Sequence, residues 1–457
     1  MTANGTGSHG RGHGEQAAAD GREYLRRLAR AVVQECREEG VATPDGLPGT
    51  VLEAPSFAAA FQAYESAADE LAGHLGRAFQ PAQAYPSMEA FWRDAHAQES
   101  GASPNAYWDS YENGARRRAE AELAHAFGTG QAVLVNAGMS ALDVAIRASG
   151  AGPGDSVLVH DRTYFETHDL LTNVFGPWGL GAVRADLRDA PATRRVIAEH
   201  GPKLAVAELA LNGPRCDVPV LEPLIESGMR LLLDFSALGH GVRPADLVEG
   251  ADVVYVESGM KYLTRRTGAG VLYGQGAWMD DIRAGARRTG QQLQGRALHW
   301  IRRGEMHDCA RRAALHSARR RLFVSVLRDR LPDLVVTDAL SGAGERQDLL
   351  ARAIRDGADG CMVFARLPDA DAARAETLHR DVVARWAAGF KTERVRAGFG
   401  WTATTGRSYG RDALNTDLGE CFVRISVGIE DEEDIVEQAR SLARAAQDVL
   451  GGSEAGA

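Results

Sequence analysis

Short apolar runs alternate with amphipathic segments through the middle of the chain. From residue 115 onward, runs such as AVLV, LAVA and VVYV are separated by stretches in which apolar residues recur at helical spacing. Short apolar runs bounded by turn residues predict strands that are buried on both faces, and the stretches between them predict helices. The alternation therefore predicts an α/β domain with a mostly parallel sheet that is covered by helices on both sides.

The two ends of the chain show different patterns. The stretch REYLRRLARAVVQECREEG has apolar residues at helical spacing and ends at a glycine, which predicts an N-terminal helix. Residues 44–114 are rich in aromatic side chains and predict an arm that packs either on the protein's own core or on a second subunit. After Gly276 the pattern is helical as far as Leu331, and the apolar runs in DLVVTD, GCMVFARL and CFVRISVG then predict a smaller α+β domain.

These patterns divide the chain into successive segments. We predict a disordered leader at residues 1–20, an N-terminal helical arm at 21–114, a large domain at 115–290, linking helices at 291–331, a small C-terminal domain at 332–450 and a disordered tail at 451–457. The leader lacks the apolar core of a signal peptide. The chain also lacks an apolar run of the roughly 18 residues that a membrane span requires, so no membrane association is expected.

Charge and cysteine content narrow the functional classes. The formal net charge is −10, and the 52 lysines and arginines are interspersed with carboxylates, so nucleic acid is not an expected partner. We interpret the arginines, as in ARRRAEAELAHAF, as parts of solvated helix faces. The five cysteines form no CxxC pair, which predicts reduced thiols in a cytoplasmic protein that has neither a disulfide framework nor a metal site.

Lysine is rare in this sequence. Only Lys203, Lys261 and Lys391 are lysines, so subtracting 3 from 52 leaves 49 arginines among the basic residues. Lys261 follows the apolar run of VVYVES and is predicted at the edge of the sheet. Arginine cannot form an imine, because only an amine that loses its proton attacks a carbonyl. The use of lysine at this position therefore favours a chemical role over that of a solvated charge.

Two further features are predicted at the same sheet edge. The turn NAGMSALD is built of small residues and opens a helix, where free backbone N–H groups favour an anion such as a phosphate. Asp234 ends the strand of RLLLD, where a carboxylate needs a cationic partner or serves as a turn cap. A phosphate cradle, an acid at a strand end and an imine-forming lysine are together what pyridoxal 5′-phosphate (PLP) requires.

With these motifs the chain resembles the fold type I PLP-dependent enzymes and, among them, the Cys/Met-metabolism (cystathionine γ-synthase-like) family, as a divergent member. The resemblance extends from about residue 128 to the C-terminal helix. It implies a large PLP-binding domain with a mostly parallel, seven-stranded sheet and a smaller C-terminal α+β domain. It also implies a homodimer or homotetramer whose active sites lie between subunits.

The resemblance assigns roles to individual residues. Family members hold PLP with a phosphate loop, a tyrosine stacked on the ring, an asparagine near the phenolic oxygen, an aspartate at the ring nitrogen and a lysine box. The matching cofactor-binding residues are Ala137, Gly138, Met139, Tyr164, Asn212, Asp234, Ser236, Ser258 and Lys261. Of these, Lys261, Tyr164 and Asp234 are the catalytic candidates. Arg424, in VRISVGIEDEEDIVE, corresponds to the arginine that binds the substrate α-carboxylate.

Two positions depart from the family pattern. The Tyr-x-Arg-x-x-Asn-Pro-Thr motif, which reaches the phosphate of the neighbouring subunit, is replaced by YWDSYENGA, which has no arginine. Tyr107, Trp108 or Tyr111 then takes part of that role, and Tyr111 is our candidate at the substrate. Met260 stands where relatives have a threonine that contacts the phosphate.

The family resemblance implies a reaction on a small amino acid. We expect γ-elimination or γ-replacement on a homoserine ester, a homocysteine-type compound or a sulfonium such as S-adenosylmethionine, in specialised metabolism. β-Elimination and transamination use the same residues and are alternatives. A non-catalytic binding or regulatory protein is a third alternative, favoured by the altered arm motif, whereas the joint retention of Lys261, Asp234 and Arg424 favours an enzyme.

Overall fold

The structure is a computed structural model that describes most of the chain. The described residues are 11–38, 47–78, 87–99, 114–210, 218–241, 243, 248, 252–264, 268–293, 297–298, 309–332, 334–337, 354, 358–367, 372–389, 400, 402–410 and 421–454. None of the helices in these ranges carries an apolar stretch that would span a bilayer.

A seven-stranded sheet forms the centre of the large domain in the described residues. Its strands are β1 (Gln131–Val135), β2 (Ser156–His160), β3 (Gly181–Ala185), β4 (Leu204–Glu208), β5 (Arg230–Asp234), β6 (Val253–Ser258) and β7 (Gly270–Gly274). They lie in the order β1-β7-β6-β5-β4-β2-β3. Only β7 runs antiparallel to its neighbours, and the four remaining pairs are parallel. The predicted mostly parallel sheet is confirmed.

Helices cover both faces of this sheet. They are α5 (Gly114–Phe127), α6 (Gly138–Ala148), α7 (Phe165–Asp169) with a π-helical continuation (Leu170–Phe175), α8 (Ala190–His200), α9 (Glu222–Glu226), α10 (Gly259–Tyr262) and α11 (Ala277–Thr289). Successive strand residues point into different cores: Leu231 and Leu233 belong to one apolar cluster, and Leu232 belongs to the other. Burial on both faces explains why the strands are continuous apolar runs rather than alternating ones.

A second, four-stranded antiparallel sheet forms the small domain. It consists of β8 (Val335–Thr337), β9 (Met362–Arg366), β10 (Thr405–Tyr409) and β11 (Phe422–Ser426), in the order β10-β11-β9-β8. It shares an apolar core with α12 (Cys309–Arg330), α13 (Ala372–Ala388) and α14 (Glu432–Glu454). The sequence predicted three of these strands and missed β10, whose segment TGRSY is polar and lies at the sheet edge.

The N-terminal helices are α1 (Arg11–Glu38), α2 (Leu47–Glu53), α3 (Phe57–Ala78) and α4 (Met88–Glu99). The first three share an apolar cluster with Leu315 of α12 and with Ile429. The backbone N–H of Phe57 also donates to Asp431 Oδ2 at 2.9 Å. Of the two alternatives predicted for the arm, α1 to α3 therefore pack on the protein's own core.

Helices extend into both of the segments that were predicted to be disordered. Helix α1 begins at Arg11, so residues 11–20 are helical, although we predicted a disordered leader at 1–20. The stretch EQAAAD within them consists largely of good helix formers, which explains the difference. Helix α14 likewise continues to Glu454, into the predicted tail at 451–457.

The interpretation of the arginines as solvated is wrong for several of them. Buried arginines include Arg116, Arg312, Arg319 and Arg320. Each is held by polar partners: for example, Arg319 Nε donates to the Glu430 carbonyl oxygen and Arg319 Nη1 to Glu432, both at 2.8 Å. A guanidinium has five donors in a planar fork, so it can be buried where carbonyl and carboxylate oxygens converge.

Candidate active site

A cavity of about 260 Å³ lies at the carboxyl ends of the parallel strands. Every predicted site residue within the described ranges lines it, namely Ala137, Gly138, Met139, Tyr164, Asp234, Ser236, Ser258, Lys261 and Arg424. The two other predicted residues, Asn212 and Tyr111, lie outside the described residues. The structure thus brings segments of both domains to one site, because Arg424 comes from β11 of the small domain.

The turn between β1 and α6 forms one wall of the cavity. Ala137 is the N-cap of α6, has an extended backbone and makes no side-chain capping hydrogen bond. The first backbone N–H groups of this helix are thus available to an anion, which the helix dipole also favours. Gly138 packs closely on the end of β6, where an added Cβ would lie 2.9 Å from Ser258 Cβ. Glycine at this position therefore allows the turn to approach Ser258.

Hydrogen bonds connect the ends of β5 and β6. Ser258 N donates to Ser236 Oγ at 2.7 Å, and Ser236 N donates to Asp234 Oδ1 at 2.7 Å. Burial raises the pKa of Asp234; the hydrogen bonds from Ser236 and the charge of Lys261 oppose the rise, and Glu257 adds to it. A buried carboxyl of this kind gains most from a cationic partner.

Lys261 lies on α10, directly after β6, and its amine faces the cavity. Burial lowers the pKa of Lys261, the nearby Arg424 guanidinium lowers it further, and Asp234 opposes both effects. The lowered pKa increases the fraction of neutral amine, which is the nucleophilic form. The backbone of Lys261 is closely packed, because an added Cβ on Gly400 would lie 2.4 Å from the Lys261 carbonyl oxygen.

Glu208, at the end of β4, supports Tyr164. The Thr163 hydroxyl and the Tyr164 backbone N–H both donate to Glu208 Oε1. Burial, followed by the adjacent Asp234, raises the pKa of Glu208 from its ordinary value of 4.5 to about 7. Burial and then Glu166 raise the pKa of Tyr164 to about 12, so its phenol is neutral at physiological pH. Glu208 and Glu166 both line the cavity, although no motif in the sequence predicts a site role for either.

Arg424 reaches the cavity from β11 and is 4% exposed. Its Cζ lies 5.0 Å from the centroid of the Tyr409 ring, and this ring stacks on Phe422 with centroids 5.0 Å apart. Burial lowers the pKa of Arg424, and the nearby Tyr409 opposes this decrease. An arginine nevertheless remains protonated in proteins. The guanidinium is therefore a positioned cation that suits a carboxylate ligand. Sequence reasoning missed Tyr409 because it did not predict β10.

The residues of this cavity fit PLP. The phosphate would meet uncapped helix N–H groups at Ala137 to Met139, the ring nitrogen would meet the carboxyl of Asp234, and the aldehyde would meet the amine of Lys261. Met260 also lines the cavity and is 39% exposed. It provides no hydroxyl, so nothing in the described structure replaces the phosphate-contacting threonine of the family.

Comparisons with known proteins agree with this chemistry. A family model described as "Cys/Met metabolism PLP-dependent enzyme" matches residues 80–316. The O-succinylhomoserine sulfhydrylase of Pseudomonas aeruginosa is 26% identical over 377 residues, which cover 77% of this chain and 87% of that protein. A cystathionine beta-lyase of Neurospora crassa is 31% identical over 160 residues, or 33% of each chain, so this chain matches about a third of its length. A dTDP-3-amino-3,4,6-trideoxy-alpha-D-glucose transaminase of Streptomyces venezuelae is 32% identical over 127 residues, which cover 27% of this chain and 33% of that protein.

Solved structures show the same fold. The cystathionine gamma synthase of Xanthomonas oryzae pv. oryzae, in complex with cystathionine, superposes with a TM-score of 0.62 at 21% identity and covers 74% of this chain and 87% of its own. The methionine gamma lyase of Micromonospora echinospora gives a TM-score of 0.62 at 23% identity with the same coverage. At these identities the likeness establishes the fold type I architecture.

Proposed function

The chain belongs to the Cys/Met metabolism PLP-dependent enzyme family that its sequence resembles, and from this premise we propose that it eliminates or replaces a group at the γ-carbon of an amino acid. The observation that carries the proposal is one cavity in which a half-buried amine, Lys261, lies near a buried guanidinium, Arg424. An amino acid substrate needs a base at its Cα and a cation for its carboxylate. This pair supplies both.

Each residue has a defined task in this proposal. The turn at Gly138 and the hydroxyl of Ser258 hold the phosphate of PLP, and Asp234 holds the protonated ring nitrogen. When bound, PLP withdraws electrons from the Cα of the substrate and so makes its protons acidic. Tyr164, held by Glu208, lies beside the cofactor site and keeps it closed to water on that side.

Proton transfer is assigned to Lys261. Its amine removes the proton at Cα and then the proton at Cβ, since one amine on a flexible stem reaches two adjacent carbons. Arg424 binds the α-carboxylate, which fixes the substrate relative to that amine. A γ-reaction requires both proton transfers, whereas a β-elimination or a transamination requires only the first.

The relatives favour the γ-reaction over the alternatives. The longest match among them is to an O-succinylhomoserine sulfhydrylase, whose name describes a γ-replacement on a homoserine ester. The matches to a cystathionine beta-lyase and to a transaminase are shorter and support the alternative reactions. A non-catalytic role is disfavoured because Lys261, Asp234 and Arg424 all face one cavity.

Product analysis with a matched pair of variants tests the proposal. The purified protein with PLP is incubated with O-succinyl-L-homoserine, L-methionine or L-cystathionine. A γ-elimination gives 2-oxobutanoate, whereas a β-elimination of cystathionine gives pyruvate. Lys261→Ala should abolish both the oxoacid and the visible absorption of lysine-bound PLP, whereas the exposed Lys203→Ala control should leave both unchanged. Pyruvate alone, or pyridoxamine phosphate as the product, would replace the γ-reaction by one of its alternatives.

The assembly and location form part of the same proposal. We infer a homodimer or homotetramer in which Tyr111 of one subunit reaches the site of the next, a state that sedimentation velocity would measure directly. A cytoplasmic location agrees with Cys309, Cys361 and Cys421, which are buried free thiols in the described part of the chain.

A further inference from the structure

The cavity is also lined by an acidic side chain, that of Glu166, which has no partner among the residues that the structure describes. Glu166 lies in the first turn of α7, two residues after Tyr164, and lines the cavity with its exposed carboxylate. It lies close enough to the Tyr164 phenol to be the second cause, after burial, of the raised pKa of that tyrosine. The side-chain carboxylate of Glu166 forms no hydrogen bond or ion pair with any residue that the structure describes.

The other charges of the cavity are already assigned if the proposed function holds. Asp234 pairs with the ring nitrogen of PLP, and Arg424 pairs with the α-carboxylate of the substrate. Glu208 accepts hydrogen bonds from Thr163 and Tyr164. Among the described residues that line the cavity, the carboxylate of Glu166 is the negative charge without such a role, and we assign it to the substrate side chain.

The cavity that Glu166 lines also contains apolar side chains. Met139, Leu142, Ala210 and Met260 line the same space, and Met260 is 39% exposed to it and to solvent. A primary ammonium is less well suited to such side chains, because its three donors lose water and the Glu166 carboxylate cannot accept from all of them. A sulfonium has no donors and is weakly hydrated, so it can contact thioether and methyl groups and still be attracted by a carboxylate.

We propose that Glu166 selects amino acids whose γ-substituent is cationic, and that the preferred leaving group is a sulfonium. The inference rests on the proposed γ-reaction and specifies its substrate class. In the elimination, Lys261 takes the proton from Cβ, the Cγ–S bond breaks and its electron pair goes to sulfur. The sulfonium leaves as a neutral thioether, so no acid is needed to protonate it. A leaving group that needs no proton suits this cavity, because the phenol of Tyr164 has a pKa of about 12 and is a poor proton donor.

Paired ligands and paired variants test the inference. S-Methyl-L-methionine carries the sulfonium, and L-methionine is its neutral counterpart. The change in visible absorption of the PLP-loaded protein gives the dissociation constant of each ligand, and release of dimethyl sulfide gives kcat/KM for the sulfonium. We expect the wild-type protein to bind the sulfonium about ten-fold more tightly than methionine, with a ratio that falls as salt is added.

The variants separate charge from shape. Glu166→Gln keeps the size and should bring the ratio near one by weakening the sulfonium alone, whereas Glu166→Asp keeps the charge and should retain most of the preference. Glu122→Gln, an exposed glutamate of α5 outside the cavity, is the matched control and should behave as the wild type.

Two outcomes would count against different claims. If the wild-type protein binds both ligands equally, or if Glu166→Gln keeps the wild-type ratio, the inference about Glu166 is wrong while the γ-reaction stands. If the protein holds PLP through Lys261 but gives no spectral change and no thioether or oxoacid with any ligand, the proposed function itself fails.

Discussion

At the scale of single residues, the cavity holds ionisable groups whose charged forms are disfavoured, among them two carboxyls and one amine. Burial raises the pKa of Glu208 and that of Asp234, and it lowers the pKa of Lys261. Neighbours of the same charge reinforce each shift: Asp234 acts on Glu208, Glu257 acts on Asp234, and Arg424 acts on Lys261. A ligand that brings charges of the opposite sign is therefore favoured at this site.

Glu208 should make the stability of the cofactor-free protein depend on pH. Its pKa is about 7 in the folded chain and about 4.5 when unfolded, so between these values the folded state binds more protons. The free energy of unfolding must then fall as pH rises from about 5 to about 7. Glu208→Gln keeps an acceptor for Thr163 and Tyr164 but cannot titrate. We expect it to gain on the order of 2 kcal/mol relative to wild type between pH 5 and pH 8, measured by urea denaturation.

A second substitution checks the cause of this shift. Asp234 is the main charge that raises the pKa of Glu208 after burial. In Asp234→Asn that repulsion is lost and the pKa of Glu208 in the folded chain falls, so the decline in stability should end at a lower pH and be smaller than in the wild type. An equal difference between wild type and Glu208→Gln at pH 5 and at pH 8 would mean that Glu208 does not titrate in this range.

The residues of the site differ in how far the sequence could identify them. Lys261 was identifiable because lysine is rare in this chain, and Asp234 because a carboxylate ends an apolar strand. Glu208 ends an apolar strand in the same way, but its partners, Thr163 and Tyr164, are distant in sequence. Glu166 lies among the polar residues of HDRTYFET, where no local pattern separates a cavity residue from a surface one.

At the scale of elements, the contact between the β1–α6 turn and the end of β6 determines the shape of the phosphate site. Gly138 lies so close to Ser258 that the site has no room for a side chain there. Ser258 N is in turn bonded to Ser236 Oγ. A displacement of Ser258 would therefore spread along this hydrogen bond towards the end of β5.

Gly138→Ala should weaken PLP binding. Its Cβ would lie 2.9 Å from Ser258 Cβ, so either the turn or Ser258 must move, and the phosphate loses part of its backbone donors. We expect the dissociation constant of PLP to rise by about ten-fold to a hundred-fold, which corresponds to the loss of one or two hydrogen bonds to a charged group. Equilibrium dialysis of the resolved protein with PLP measures it.

Gly285→Ala is the matched control. Gly285 lies inside α11, and an added Cβ would meet no atom within 4 Å. Alanine in a helix interior is favoured over glycine by roughly 0.5–1 kcal/mol, so this variant should be slightly more stable and bind PLP as the wild type does. If both variants bind PLP equally well, the close approach of Gly138 is not needed for the phosphate site.

Element prediction from the sequence succeeded where burial is uniform and failed where it is not. The strands of the large sheet are apolar on both faces, and this pattern is visible in the sequence alone. Strand β10 exposes Arg407 and buries Tyr409 within five residues, so its burial is uneven and TGRSY gives no apolar run. Its pairing with β11, which also positions Tyr409 against Arg424, is a long-range effect.

At the scale of the whole molecule, a buried polar cluster joins the two domains directly behind Lys261. We call it the junction cluster, and it consists of Tyr262, Cys361, Gly400 and Ser426. The Tyr262 hydroxyl donates to the Ala237 carbonyl oxygen at 3.2 Å and lies 3.1 Å from Cys361 Sγ. The same hydroxyl accepts a hydrogen bond from the Cys361 backbone N–H at 3.2 Å. The Gly400 backbone N–H donates to Ser426 Oγ at 3.2 Å.

The junction cluster connects the segment that carries Lys261 to the strand that carries Arg424. Tyr262 follows Lys261 in the large domain, and Ser426 lies two residues after Arg424 in the small domain. Its members come from distant parts of the sequence, so only the folded chain reveals their contact. This is why the sequence predicted Lys261 and Arg424 separately but not the means by which their spacing is fixed.

Tyr262→Phe should therefore disturb substrate binding as well as stability. The variant deprives the buried N–H of Cys361 of its acceptor, which costs about 1–3 kcal/mol in the free energy of unfolding. Because the small domain then holds Arg424 less firmly relative to Lys261, KM for the amino acid should rise about ten-fold, while PLP still binds. Denaturation and steady-state kinetics measure the two effects.

Tyr24→Phe distinguishes this coupling from a general loss of stability. The Tyr24 hydroxyl, buried between α1 and α12, accepts a hydrogen bond from Arg312 Nη1 at 3.3 Å, and neither residue lines the cavity. Its removal should destabilise the protein by a similar amount but leave KM unchanged. Tyr262 contacts the small domain through Cys361, whereas Tyr24 has no contact with the cavity. Equal changes of KM in the two variants would therefore show that the junction cluster stabilises the fold without positioning Arg424.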